Sequence, residues 1–392
     1  MKRLLVAALA VLVSLSASAV EFLYGGAYLQ AVTEDSAYIV WLTDKNCEGW
    51  VEVKGKGFKA TFVASQNGIK LVKRNHQIPI TGLSAGQKYE YKVFAKEPKS
   101  GKIISQTLNS KGEKLTFVTR DKNKKEFSFL MVTDIHYNRA NKDEQIFQKL
   151  LTPERMEGKD FVMFDGDMVT TMSSEKWHFD RLFTAATEMF ASNIPYYMVR
   201  GNHESRGGIA DRYMDYFPSW TGQPYYTFSH GPAFFIVIDS GEDKPDSDIE
   251  YYGTAVFDEY RRNEGEWLKK VVESKEFKEA KYRILLTHQA LSNKGWHGGR
   301  HAYNNFTPHL ENKGVQVAIA GHYHSYSYRK IGMLNQTFPT LIFAPKQYLD
   351  IKITPEKMTI NVHKMSGELQ HTFSYDPRPE RGAVKIIGGT SL

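Results

Sequence analysis

The chain of 392 residues holds one cysteine, Cys47. A single thiol closes no intrachain disulfide, so the fold must rest on its apolar core. Disorder-like composition and internal repeats are also missing. Hydrophobic residues make up 41% and charged residues 24% of the chain, which suits a globular protein with a buried interior. The length allows two or three domains. Long apolar runs are scarce as well. After residue 19 no stretch is long and apolar enough to cross a bilayer as a helix, which excludes a later helical span.

The early apolar run has its own flanks. Lys2 and Arg3 precede Leu4–Leu15, and Ala17-Ser18-Ala19 follows. This order is that of a signal peptide cleaved before Val20. The competing reading, an N-terminal anchor, is opposed by the shortness of the run and by the small residues after it. Export is therefore expected, to a periplasm or outside the cell. The near absence of cysteine fits a bacterial periplasm better than a disulfide-rich secreted protein. Net charge is +7, and the leader supplies two of those charges. The mildly basic remainder suits an anionic substrate. Lys-rich stretches such as 122–125 read as solvated linker, and nucleic acid is not the expected partner.

Residues 20–120 read as all-β. Segments such as Ser36–Thr43, Gly49–Val53 and Lys88–Phe94 are rich in β-branched and aromatic residues, with Gly, Asn, Asp and Ser between them. Short strands at such intervals suggest a sandwich. Residues 121–126 are charged and read as a linker. From Phe127 strands alternate with helical segments, Ser173–Phe190 and Phe257–Val272 among them, which implies a layered α/β domain over residues 127–375. Two long loops are expected at Ser240–Thr254 and Ser292–Phe306. Strands from Thr340 onward read as closing and antiparallel, and residues 376–392 as a tail.

Five segments of the second domain share one plan, an apolar run followed by metal-ligand types. Phe127–Thr133 leads to Asp134-Ile135-His136. Phe161–Phe164 leads to Asp165-Gly166-Asp167. Tyr196–Arg200 leads to Gly201-Asn202-His203-Glu204. Tyr282–Thr287 leads to His288, and Val315–Ala320 leads to Gly321-His322-Tyr323-His324. Sites in open α/β sheets gather at the carboxyl ends of strands. In an extended segment Asp134 and His136 would face one side. The candidate ligands are Asp134, His136, Asp167, Asn202, His288, His322 and His324. Any one of these pairs alone would be an ordinary turn or a structural histidine. Seven donors exceed one ion's needs but suit two ions sharing a bridging carboxylate, as in sites for phosphoryl displacement. Carboxylate, imidazole and amide donors suit Mn, Fe or Zn.

These five blocks resemble the calcineurin-like metallophosphoesterase superfamily. The resemblance implies an αββα fold of two mixed sheets with helices outside, and two divalent or trivalent ions. It also implies ligand sets: Asp134, His136, Asp167 and His324 for one ion, and Asp167, Asn202, His288 and His322 for the other. Gly26–Gln30 and Ser36–Thr43 resemble the fibronectin type III-like domain that precedes the catalytic domain in purple acid phosphatases. Two departures argue against a purple iron site. Asp134-x-His136 stands where those enzymes have Asp-x-Gly, and Thr170 stands where they place a tyrosine ligand.

The function implied is hydrolysis of phosphate monoesters by a metal-bridging hydroxide, with His203 as the catalytic group at the leaving oxygen. Arg200, Arg206, Tyr137, Arg300, His301 and Tyr323 are candidate contacts for a small phosphorylated substrate, with Trp296 and His297 beside them. Glu204 is expected to orient neighbours. The alternatives are a phosphodiesterase acting on nucleotides, nucleic acid or lipid head groups, and a non-catalytic binding protein. A protein phosphatase is disfavoured by Gly166–Thr171, which lacks that group's motif. Only 68 residues follow His324 (392 − 324), which argues against the secreted nucleotidases with their large C-terminal substrate domain.

Overall fold

The computed structural model describes residues 20–137 and 146–378, with the side chains of 177, 178, 180 and 181 excepted. The expected leader at 1–19 and most of the expected tail at 376–392 lie outside the described residues. No helix among the described residues is long and apolar enough to cross a membrane.

Residues 22–118 form a β domain with a seven-stranded antiparallel sheet and a separate two-stranded ribbon. Its organising strand is Ser36–Gly55, twenty residues long. The sequence suggests two strands here. The structure has one, bent where the register shifts between Leu42 and Cys47. Its first half pairs with Phe22–Gln30 and Val72–Thr81, and its second half with Phe58–Val63 and Lys88–Lys96. A bulge bends a strand and increases its twist, so one strand serves both halves of the domain. Trp41, Val51, Val53, Tyr91 and Phe117 fill the interior.

The second domain has two six-stranded sheets. One runs Tyr196–Val199, Phe161–Asp165, Phe127–Val132, Gln347–Ile353, Met358–Lys364 and Leu369–Tyr375. The other runs Tyr226–His230, Ala233–Ile238, Tyr282–Thr287, Val317–Ala320, Thr340–Ile342 and Ser327–Arg329. The strand Thr340–Ile342, expected to be antiparallel, is so toward Ser327–Arg329 but pairs parallel with Val317–Ala320. It returns after an excursion through Ser327–Arg329 and so keeps its neighbour's direction.

Fully apolar strands explain the layering. Strands buried on both faces read as continuous apolar runs. Phe129, Phe161 and Phe235 meet between the sheets, with ring centroids 4.5 Å apart for Phe129 and Phe161 and 5.5 Å for Phe129 and Phe235. Truncating Phe129 to Ala would cost about 3–5 kcal/mol. On the outside, helical segments within Glu175–Ala191 cover the first sheet. Helices Phe257–Val271 and His297–Leu310 cover the second. The order is αββα. The second of these helices corrects the expected loop at Ser292–Phe306. Its Gly298-Gly299 start argues against a helix on propensity. However, a Cβ at Gly298 would lie 2.0 Å from the Glu242 carbonyl oxygen, so packing requires the glycine there.

The β domain docks on the first sheet's edge. Tyr28, Val40 and Leu42 join the apolar cluster of Phe179, Tyr196 and Met198. The side chains of Gln77, Asn75 and Tyr28 donate to the successive carbonyls of Met214, Asp215 and Tyr216 at 2.6, 2.7 and 2.8 Å. They satisfy acceptors at the end of the short helix Tyr213–Tyr216, which a helix terminus otherwise leaves open.

Candidate metal centre

The five ligand-type segments leave the carboxyl ends of five strands, three in one sheet and two in the other. The loops converge because the two sheets pack face to face. The extended-strand argument for Asp134 and His136 does not hold. Both lie past the strand end at φ 52° and 48°, and Asp167, His322 and His324 sit at 50°, 68° and 52°. A left-handed conformation costs a non-glycine residue about 1–2 kcal/mol, and such strain clusters at functional sites. A sharp left-handed turn, rather than strand alternation, swings these side chains inward.

The glycines of the motifs have steric causes. A Cβ at Gly201 would lie 2.3 Å from both N and Oδ1 of Asp167. One at Gly321 would meet Thr133 Oγ1 at 2.1 Å and Asp134 Oδ2 at 2.6 Å, and one at Gly166 would meet the His288 ring at 2.6 Å. Only glycine allows the loops this close.

The donor atoms form three overlapping groups: Asp134, His136 and His324; His136, Asp167 and His203; and Asp167, His288 and His322. Asp134 Oδ1 lies 3.2 Å from His324 Nε2 and 3.8 Å from His136 Nε2, and the two imidazole nitrogens are 2.9 Å apart. Asp167 Oδ2 lies 3.0 Å from His288 Nε2 and 3.6 Å from His136 Nε2. His322 Nδ1 lies 3.1 Å from Asn202 Oδ1 and belongs with Asp167 and His288. Asp167 stands between the groups. His288 Nδ1 donates to the Asp165 carbonyl at 2.5 Å, which leaves Nε2 facing inward. That Nε2 and Asp134 Oδ1 are buried and, although they lie 3.0 Å from Asp167 Oδ2 and 3.2 Å from His324 Nε2, neither makes a well-directed hydrogen bond. Buried polar atoms normally do, so two such atoms facing one point fit a metal site. The donor types agree.

Electrostatics follow the same grouping. Burial would raise the Asp134 carboxyl, but the close imidazoles of His136 and His324 and the His288 charge hold it well below the usual range. Asp167 is likewise opposed by burial and held at about 2 by His288. His322 is pushed down to about 4 by burial and by the neighbouring His288. The ionised carboxylates and the neutral His322 are in the state a metal needs, whereas His288, raised against burial by Asp167, would release its proton on binding an ion.

His203 sits beside this set. Its Nδ1 bonds the Thr170 carbonyl oxygen at 2.7 Å, and its Nε2 lies 3.9 Å from Asp167 Oδ2. A carbonyl only accepts, so Nδ1 carries the proton and Nε2 is the reactive nitrogen. Thr170, which replaces the tyrosine of the purple enzymes, thus fixes a ring. Its hydroxyl also donates to the His136 carbonyl at 3.1 Å. Glu204 orients neighbours as expected. It is fully buried and accepts N–H bonds from Asp167 at 2.9 Å, Met168 at 2.8 Å and Gly201 at 3.0 Å.

The proposed substrate contacts divide. Arg206 is beside the site, with Nη1 3.4 Å from His203 Nε2. Tyr323 lies between two ligand-type histidines, is exposed, and its ring touches His322 with centroids 5.1 Å apart. Tyr137 follows His136 and bridges to Val169. Arg200 does not face the site. Its guanidinium is paired with the buried Asp239 at 2.5 Å and lies over the rings of Tyr213 and Tyr260. The first sheet's edge turns it toward helix Phe257–Val271, away from the loops. His301 is drawn off as well. It and His297 stack at 5.5 Å and face Asp258, at 3.5 and 2.8 Å. Arg300 is exposed on the same helix. Sequence reading missed Glu242 and Asp239, the partners of the two arginines. Their only signal was a position just after the apolar strand Ala233–Ile238.

A family model described as calcineurin-like phosphoesterase matches residues 127–326, just over half of the chain. The chain belongs to the calcineurin-like phosphoesterase family. It is a metal-dependent phosphoesterase. No curated protein matches it in sequence. Among solved structures, the purple acid phosphatase PPD1 from seeds of yellow lupin (Lupinus luteus) aligns with a TM-score of 0.64 at 16% identity. That alignment covers 91% of this chain and 74% of the other. A structure of PhoD aligns with a TM-score of 0.59 at 12% identity, covering 93% of each chain. At these identities the likeness is one of fold, and it extends through the N-terminal β domain.

Proposed function

We propose that this calcineurin-like phosphoesterase is an exported hydrolase of small phosphate monoesters that works with two metal ions. The observation that carries the reading is the place of Asp167, whose Oδ2 stands between His136 Nε2 at 3.6 Å and His288 Nε2 at 3.0 Å, with His203 Nε2 3.9 Å away. Asp134, His136, Asp167 and His324 would hold one ion, and Asp167, Asn202, His288 and His322 the other. Bound ions would supply Lewis-acid charge that activates water and offsets the phosphoryl oxygens. The chain's own groups do the rest. Thr170 and Glu204 fix the loops that carry His203 and Asp167. His203 faces the leaving oxygen through Nε2; neutral in the free protein with Nδ1–H on the Thr170 carbonyl, it takes up a second proton at Nε2 from solvent and gives that proton to the leaving oxygen. Arg206 adds fixed positive charge beside the same point.

The mildly basic charge suits an anionic substrate, and the monoester reading is supported by the lupin neighbour, which is named a phosphatase. Export is supported by the order Lys2-Arg3, Leu4–Leu15 and Ala17–Ala19. The donor set favours Mn, Fe or Zn. The test pairs elemental analysis of the purified protein with turnover of nitrophenyl phosphate and bis-nitrophenyl phosphate. About two metals per chain with faster monoester turnover is expected. Faster diester turnover would reassign the substrate. No turnover after loading with each metal would leave a binding protein.

A further inference from the structure

Arg206 is held in an unusual way. Its backbone carbonyl accepts from Met172 N at 2.7 Å and Thr171 Oγ1 at 3.0 Å. Its Nε and Nη2 donate to the two oxygens of Glu242 at 2.7 and 2.8 Å. Nη2 also reaches Asp243 Oδ1 at 3.4 Å. This is a bidentate fork, which fixes the plane of the guanidinium. Two of its three nitrogens are then turned away from the site. The third, Nη1, points at His203 Nε2 from 3.4 Å. One of its two N–H groups serves that contact, and the other has no partner among the described residues.

Glu242 is itself immobilised. Its side chain is 1% exposed. Oε2 accepts the Tyr251 hydroxyl at 3.0 Å. Its carbonyl accepts from the fully buried Arg261, which also donates through Nε to Ser240 O at 2.7 Å. Tyr251 Oη in turn accepts Lys244 N at 3.1 Å. A buried carboxylate tied down on this scale has more anchoring than a surface arginine needs, since exposed ion pairs add little to stability. It suits a group whose task is to hold the arginine in one pose.

We infer that Glu242 is a positioning residue for phosphate recognition, clamping Arg206 so that Nη1 is presented to a phosphoryl oxygen beside His203. The inference rests on the phosphate-ester reading above. It also explains why the segment from Ser240 carries two carboxylates at a site for anions. Glu242 and Asp243 face the far side of the guanidinium and keep it charged, while the planar cation stands between them and the phosphate position.

The experiment compares metal-loaded wild type with Arg206→Lys, Arg206→Ala, Glu242→Gln and the double variant Glu242→Gln/Arg206→Ala. It reads kcat and KM for nitrophenyl phosphate, and the affinity for inorganic phosphate by calorimetry. Each single change is expected to lower kcat/KM and phosphate affinity about tenfold to a hundredfold, with metal content unchanged. Lysine keeps the charge but not the fork, so it should not rescue. The double variant should be no worse than Arg206→Ala beyond about twofold, because both changes remove one contact. Wild-type-like kcat/KM and phosphate affinity in Glu242→Gln, or losses that multiply in the double variant, would overturn the inference. Should Glu242→Gln fail to fold, a wild-type-like Arg206→Lys overturns it equally. If wild type hydrolyses no phosphate ester, the functional reading fails instead, and phosphate binding still decides on the clamp.

Discussion

Asp167→Asn is the sharpest perturbation of the metal centre, because one atom carries the change. The substitution preserves shape. Oδ1 still accepts His203 N at 3.0 Å, so the turn keeps its bond. What changes is Oδ2, 3.0 Å from His288 Nε2 and 3.6 Å from His136 Nε2. It becomes an uncharged amide nitrogen that cannot bridge. One unit charge acting on another at 4 Å is worth about 4 kcal/mol at an effective dielectric of 20. Between two dications the carboxylate also shields their mutual repulsion. Losing even 4 kcal/mol weakens binding by about a thousandfold, at about 1.4 kcal/mol per decade. Metal content should fall from about two per chain to one or fewer, and nitrophenyl phosphate turnover by at least about a thousandfold. The metal-free fold should lose only about 1–3 kcal/mol, the cost of leaving buried His288 without its partner. Elemental analysis after desalting, initial rates and thermal unfolding of the chelated protein would measure the three effects. A variant with two metals and more than about a tenth of wild-type turnover would refute the shared-carboxylate arrangement.

Three further outcomes follow from the same geometry. His203→Ala should keep both metals yet lower kcat by about a hundredfold or more on alkyl phosphates. The loss should be smaller on nitrophenyl phosphate, whose leaving group needs little protonation, and equal losses on both substrates would remove His203 from that role. Gly201→Ala should destabilise the protein by about 1–3 kcal/mol and reduce metal uptake, since its Cβ would stand 2.3 Å from Asp167 N; wild-type metal content in that variant would contradict the steric account. The third concerns His76 in the β domain, buried and stacked on Trp41 at 4.8 Å. Burial, aided by Lys73, pushes its pKa down to about 3, against about 6.5 when unfolded. The unfolded chain therefore binds the proton first as pH falls. The stability that depends on neutral His76 is complete above about pH 6.5 and declines toward pH 3, by up to about 1.4 kcal/mol per pH unit. His76→Gln should flatten that decline in urea titrations between pH 6.5 and 4, and an unchanged slope would assign it elsewhere.

The site was legible in the sequence because its ligands are local. Each candidate follows an apolar strand and three follow a glycine, so residue type and position sufficed to name the side chains that the structure brings together. Their partners were not legible. Glu204 is named by its neighbours, but its N–H donors at Asp167 and Met168 lie more than thirty residues away. Arg200 and Arg206 look alike in the sequence, both flanking Gly201–Glu204. Their fates differ because Asp239 draws one toward helix Phe257–Val271 and Glu242 holds the other at the site. Nothing near either arginine encodes that choice. It comes from a strand end more than thirty residues downstream, placed by the second sheet.

The same division explains the backbone. Apolar runs marked the strands of the second domain, since burial on both faces leaves a plain signal. The long strand Ser36–Gly55 and the helix His297–Leu310 were misread because a bulge and a glycine pair break the local pattern while tertiary packing preserves the element. The strained residues show why function falls on the legible side. Asp134, His136, Asp167, His322 and His324 each hold positive φ without being glycine, at a combined cost of several kcal/mol. Seven other described non-glycine residues, Tyr24, Ala31 and Lys346 among them, also hold positive φ, but only these five are donor types gathered at one site. Glycine would relieve the strain at each position but would delete a donor atom. Replacing His322 by Gly should therefore stabilise the metal-free turn locally while abolishing one donor group. A variant of that kind that unfolds more easily without metal would show that the strain is not where the backbone angles put it.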